Sequence, residues 1–130
     1  MIVACLAAAA GLAACAERAS APEPAGRVDI SASAPDIFTI EETVSIMTGD
    51  TVFDAMLRLR AAGAIAFTAS GAGETAFILS IGGVANEGAG GRNWTYDLNG
   101  ACAVLGAGAQ AVADGDRIAW RFAGAQDSCG

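Results

Sequence analysis

The spacing of apolar and polar residues changes character several times along the chain. Residues 2–14 (IVACLAAAAGLAA) are continuously apolar and end in small residues, the pattern of an export-signal core. The run is shorter than the roughly 18–20 residues that a comfortable membrane-crossing helix needs. Residues 16–27 (AERASAPEPAGR) carry prolines, small residues and mixed charge with no apolar period, a tether composition. Alternation begins at residue 28. Val28-Asp29-Ile30-Ser31 reads as a half-buried strand and Pro35-Asp36 as a turn. Phe38, Ile40, Val44 and Ile46 form a second strand, in which Glu41 and Glu42 disturb the pattern and predict a bulge or a change of face.

The period then switches to that of a helix. In TVFDAMLRLRAA, Val52, Ala55, Met56 and Leu59 fall at i, i+3, i+4 and i+7, one buried stripe. Asp50 or Thr51 can accept the free N–H groups of the first turn. Asp54 lies near the positive end, Arg58 and Arg60 near the negative end, and Gly63 suits a left-handed cap. Beyond the helix the period returns to two. Ile65-Ala66-Phe67 and Phe77 to Ile81 predict short strands, and residues 82–91 (GGVANEGAGG) predict a flexible loop. Residues 93–98 predict a strand with Trp94, Tyr96 and Leu98 on one face and Thr95 and Asp97 on the other. Asn99-Gly100 is a strong hairpin signal, because both central positions of a type I′ turn need positive φ. Asp114-Gly115-Asp116 marks another turn before a last strand with Ile118, Trp120 and Phe122 inward. Two strands, one helix, then four or five short strands predict an α+β fold with one amphipathic helix on a mostly antiparallel sheet.

Composition sharpens this picture. At 130 residues there is room for one domain. The hydrophobic fraction of 54% overstates the core, because much of it is alanine in the opening run. The formal charge of -7 argues against nucleic acid, whose backbone must be neutralised by cations. All seven cations are arginines, scattered without a basic patch, and histidine is absent. That removes the commonest general base near neutral pH and the commonest transition-metal ligand.

The cysteines fit an exported chain. Leu12-Ala13-Ala14-Cys15 resembles the bacterial lipoprotein box, which would make Cys15 the lipid-bearing first residue of the mature protein. Ordinary cleavage around Ala14-Cys15-Ala16 is the alternative and would release a soluble periplasmic or secreted protein. No Lys or Arg precedes the apolar run, a departure from the usual charged start. Ala16 after the lipidated cysteine, and not Asp, points by resemblance to Gram-negative sorting rules to the outer membrane. The organisation expected is therefore signal peptide with lipobox at 1–15, tether at 16–27 and one domain at 28–130. Cys102 and Cys129 remain, an even pair in an oxidising compartment, and predict a structural disulfide that pins the C-terminal tail. A metal or redox pair fits less well, with no Cys-x-x-Cys and no histidine.

The remaining motifs are weak. Residues 71–76 (GAGETA) match a relaxed dinucleotide fingerprint, but they lead into a strand, so the helix terminus that would hold a pyrophosphate is missing. Residues 106–111 fail in the same way. Asp114 and Asp116 offer two carboxylates where calcium needs six to eight oxygens, so no metal site is expected. No serine has a histidine to activate it, and Glu41 and Glu42 point to opposite faces of a strand. A non-enzymatic protein is expected.

The order of the pieces carries a further signal. The helix TVFDAML, the Gly-rich loop, Trp94-Thr95-Tyr96 closing on Asn99-Gly100, and Asp114-Gly115-Asp116-Arg117-Ile118-Ala119-Trp120 together resemble the bacterial domains similar to the C-terminal domain of transcobalamin and intrinsic factor. The resemblance covers about residues 28–123. It implies a β-grasp fold of the soluble-ligand-binding type, a sheet wrapped on one helix. In such proteins this domain caps one face of a corrinoid held by a larger helical domain. Carried over, the resemblance marks Arg92, Asn93, Trp94 and Tyr96 as ligand-binding candidates, with cobalamin or another corrinoid as the implied ligand. The helical partner domain has no counterpart in this sequence, so a lone cap offers one side of a pocket. Two readings follow: an envelope-anchored module for a small cofactor, or an anchored module that contacts another envelope protein and binds no small molecule.

Overall fold

The computed structural model describes residues 23–124. Cys15 and Cys129 lie outside the described residues, as do the signal and most of the tether. The described residues begin with a long hairpin, β1 (Pro24–Ala34) and β2 (Phe38–Met47), paired antiparallel around a tight turn in which Asp36 adopts a φ of 66°. β1 therefore begins within the residues expected to be tether, with its register shifted between Pro24 and Gly26. The break expected at Glu41 and Glu42 does not occur. Alternation runs unbroken through β2, with Glu42 opposite Ile30 and only half-buried. β2 is an edge strand, so a carboxylate on its inward face still reaches water.

The helix α1 (Val52–Ala61) follows the sequence reading closely. Val52, Ala55, Met56 and Leu59 are its buried residues. Thr51 is the N-cap, and its hydroxyl accepts from the Asp54 N–H while the Asp54 carboxylate accepts from the Thr51 N–H, a capping box. Asp50 does other work. Its carboxylate accepts from the Met47 N–H at 2.9 Å and from Arg58 Nε at 2.7 Å and Nη2 at 3.1 Å, tying the strand end to the helix. Burial pushes the Asp50 carboxyl upwards, but the Arg58 hydrogen bonds, the Met47 N–H and the Arg58 charge outweigh it and hold it below the usual value. At the C-terminus, Gly63 donates to Arg60 and Ala64 donates to Leu59, the paired bonds of a Schellman motif.

Six strands follow, one more than the pattern predicts, because two are only two residues long. β3 (Phe67–Ser70), β4 (Phe77–Ile81) and β5 (Val84–Ala85) make a small antiparallel sheet, reached through a 3-10 turn at Gly73–Thr75. β6 (Asn93–Leu98), β7 (Ala101–Cys102) and β8 (Arg117–Ala123) join the hairpin in a five-stranded sheet of order β2-β1-β8-β6-β7. Among the described strands only β1 and β8 pair in parallel. Asn99 and Gly100, at φ of 54° and 84°, turn β6 into β7 as the sequence demands. The inward residues of both sheets and the buried stripe of α1 form one hydrophobic cluster. Among the described residues the architecture is α+β, antiparallel-rich, with one α-helix.

Candidate functional site

β6 is the strand around which a site is built. It pairs with β8 so that Trp94 lies opposite Phe122 and Tyr96 opposite Trp120. These rings meet at centroid distances of 5.4 and 4.9 Å, and Phe38 stacks on Trp94 at 6.0 Å. Such pairs add about 0.5–1.5 kcal/mol each beyond their buried area. Both polar tips are satisfied: Trp94 Nε1 donates to the Val84 carbonyl at 2.8 Å and Tyr96 Oη to the Leu105 carbonyl at 2.7 Å. Burial pushes the Tyr96 hydroxyl up to about 12.

Two segments flank the open edge of β6. Residues 82–91, expected to be flexible, are instead cross-tied by polar side chains. Asn86 donates to the Ile78 carbonyl at 2.9 Å and accepts from the Trp94 N–H at 2.7 Å, so one amide joins the small sheet to the large one. The Glu87 carboxylate accepts from the Arg92 N–H at 2.7 Å and pairs with its guanidinium at 3.1 Å; the first of these bonds is the main reason its carboxyl titrates below the usual value. Asn93 closes the loop with bonds to the Gly88 N–H and carbonyl. The second segment, residues 103–110, returns from β7 past the helix start, where Phe53 donates to the Ala107 carbonyl and Val52 to that of Gln110. A Cβ at Gly108 would collide with the Gly73 carbonyl, so only glycine fits that passage.

Between β4, β6 and the second segment lies a cavity of about 260 Å³, with walls of Trp94, Tyr96, Trp120, Ile78 and Ala107 and a mouth formed by Phe77 and Leu105. Phe77, Leu79, Val104 and Leu105 are exposed, Val104 at 91%. Leu79 follows Phe77 on the same strand face, and Val104 adjoins Leu105, so apolar surface gathers where the cavity opens. Isolated exposed apolar residues are ordinary, but a gathered set marks a contact surface. Two buried atoms of the lining residues, Thr95 Oγ1 and Trp120 Nε1, have no hydrogen-bond partner among the described residues, a cost that folded interiors usually avoid.

The four residues marked from the sequence divide into two pairs. Trp94 and Tyr96 line the cavity. Arg92 and Asn93 lie beside it and spend their polar atoms on the loop, with the Arg92 guanidinium 5.0 Å from the Phe122 ring centre. Sequence reasoning missed Phe77, Leu105 and Trp120, because their convergence depends on how the second segment returns. The one available signal was Val104-Leu105, an apolar pair inside a glycine-rich turn. Asp114 and Asp116 serve their turns: Asp114 accepts from the Arg27 N–H, and Asp116 from Asn99 and the Ala113 N–H. Among the described residues, no three His, Cys, Asp or Glu side chains gather where they could hold a metal ion.

No curated protein matches the chain. Solved structures do. Haptocorrin in complex with Cbi superposes with a TM-score of 0.61 at 19% identity, over 76% of this chain and 25% of the haptocorrin chain. A proposed metal-binding protein from Ruminococcus gnavus superposes with a TM-score of 0.54 at 13% identity, over 76% of this chain and 97% of its own. At these identities the likeness is one of fold. This chain spans about a quarter of haptocorrin. Residues 49–124, from the turn before α1 to the end of β8, match the family described as a domain of unknown function, DUF4430. That match takes in well over half of the sequence and every wall of the cavity, and the chain therefore belongs to the DUF4430 family.

Proposed function

We propose that this protein is a non-enzymatic ligand-binding module of the bacterial cell envelope, with a corrinoid or another flat cofactor as its ligand. The observation that carries this reading is the aromatic cavity at the open edge of β6, ringed by exposed apolar residues. Ligand sites are typically concave, mostly apolar and provided with few polar groups. The unpaired Trp120 Nε1 adds support, because such groups often mark functional sites. Fold likeness to a haptocorrin solved in complex with Cbi agrees with the class of ligand, as does the resemblance of the sequence motifs. In the finer reading the fold is β-grasp-like, the large sheet wrapping α1.

Size limits how the ligand sits. An apolar cavity of about 150 Å³ holds one benzene ring, so 260 Å³ takes a one- or two-ring group and not a macrocycle. A corrinoid would lie across Phe77, Leu79, Val104 and Leu105 with only a substituent inserted. The domain then covers one ligand face and a second protein covers the other. In this reading Cys15 carries lipid, the residues between it and β1 tether the domain at the outer membrane, and Cys102 pairs with Cys129.

Titration of the protein with cobalamin and with cobinamide, followed by absorbance and calorimetry, tests the proposal. Binding at micromolar ligand supports it; no heat and no spectral change up to high micromolar concentration sinks it. Mass spectrometry of the mature protein tests lipidation of Cys15. The exposed apolar mouth also favours a second reading, an anchored protein–protein interaction module whose partner covers the same surface. Capture of an envelope protein that is lost on Leu105→Asp, with no cofactor response, would favour that reading.

A further inference from the structure

The cavity is backed by a break in the pairing of the sheet, and the break has its own chemistry. β7 pairs with β6 only at Asp97 and Leu98. The Ala103 N–H donates once more, to the Tyr96 carbonyl at 3.1 Å, and the return chain then peels away. On the far side of the gap, the Trp94 N–H is taken by the Asn86 side chain. The N–H and C=O of a strand residue point to the same edge. Two backbone groups therefore face the gap between these clamps: the Trp94 carbonyl and the Tyr96 N–H. Neither has a backbone or side-chain partner on that edge among the described residues. Trp94, Thr95 and Tyr96, three consecutive residues, all line the cavity. The side chain of Thr95 alternates to the other face, so the cavity meets the backbone edge itself.

Peptide addition to this edge is disfavoured by its length. Two free groups serve one residue of an added strand, where natural strands run to about five or six. The volume and the donor–acceptor pair suit a small molecule better. We infer that the cavity recognises a compact apolar group bearing a secondary amide. The amide carbonyl accepts from the Tyr96 N–H, or its N–H donates to the Trp94 carbonyl, while the apolar part lies among Tyr96, Trp120, Phe77 and Leu105. This inference rests on the cavity being the ligand site of the proposed function and adds the polar class of what enters it.

The test uses the ¹⁵N-labelled full chain and three probes of similar shape: N-methylbenzamide, methyl benzoate and propylbenzene. A merely apolar pocket ranks them by hydrophobicity, with propylbenzene the tightest and the amide the weakest. The inference expects the reverse, N-methylbenzamide binding about fivefold more tightly than propylbenzene, the yield of one typical hydrogen bond, with methyl benzoate, which keeps the carbonyl and has no N–H, between them. It also expects the Tyr96 amide resonance to shift and its hydrogen exchange to slow on addition of the amide. Tighter binding of propylbenzene with an unmoved Tyr96 amide would overturn the inference and leave the cavity as an apolar ligand site. If none of the three binds at millimolar concentration the inference also fails, and the corrinoid titration decides the broader reading by itself.

Discussion

The two segments beside β6 are both glycine-rich, and they are held in opposite ways. Residues 82–93 are cross-tied by the side chains of Asn86, Glu87 and Asn93, each of which bonds to backbone, and by the Arg92 guanidinium, which pairs with Glu87. Residues 103–107 have one side-chain tie, from Tyr96 Oη to the Leu105 carbonyl, and carry Val104 and Leu105 into solvent. Asn, Glu and Arg side chains supply the hydrogen bonds that glycine cannot, so the first segment is scaffold. Apolar residues held in solvent lower no folding free energy, so in the proposed reading the second segment is the one that meets ligand or partner. Glycine content alone does not distinguish the two; what the neighbouring polar side chains bond to does.

Substitutions can break or sharpen this contrast, beginning with the largest effect. Trp94→Ala removes a ring packed between Phe38 and Phe122 and leaves the Val84 carbonyl without its donor. A loss of about 3–5 kcal/mol is expected, read as a large drop in the denaturant midpoint. A fully stable Trp94→Ala protein that fails only to bind would instead make Trp94 a contact residue. Asn86→Ala deletes both bonds between the sheets and strands the Trp94 N–H; a cost of about 2–3 kcal/mol follows, with faster amide exchange across 84–94 but not across 103–107.

Tyr96→Phe removes the single side-chain tie of the second segment at about 1 kcal/mol, and faster exchange should be confined to that segment. The same hydroxyl gives a pH signature. Its folded value of about 12 lies above the ordinary 10.0, so between these values the unfolded chain has lost the proton and the folded one retains it. The stabilisation is whole below pH 10 and is lost as pH rises towards 12. The chain has one tyrosine, so ultraviolet titration of the phenol reads it directly, and Tyr96→Phe should remove that dependence. The smallest effect on folding is expected from Leu105→Ala, within about 0.5 kcal/mol as for other exposed sites, with a clear loss of ligand or probe binding. A Leu105→Ala protein that binds as before would refute the assignment of the mouth.

Local signals were legible where one residue's chemistry suffices. The Asn99-Gly100 turn needs positive φ at both positions, the α1 stripe needs only its 3.6 period, and Gly63 ends the helix by conformation alone. Glu41-Glu42 misled because alternation cannot reveal that β2 lies at an edge, where an inward carboxylate remains hydrated. The loop at 82–91 misled because its order comes from Asn86, whose two partners sit on different sheets. The family resemblance marked Trp94 and Tyr96, which line the cavity; it did not mark Phe77, Leu105 and Trp120, since residues far apart in sequence must converge to form a wall.

Nearest neighbours or composition settle the helix and its caps, the β6–β7 hairpin, the inward aromatics and the acidic, histidine-free chemistry, so these are readable along the chain. Tertiary structure alone decided that β7 leaves β6 after Tyr96, that a cavity opens in the gap, and that apolar residues gather at its mouth. Those features depend on the path of the return chain past Gly73 and the start of α1, which is fixed by long-range packing and hydrogen bonds and has no period to read.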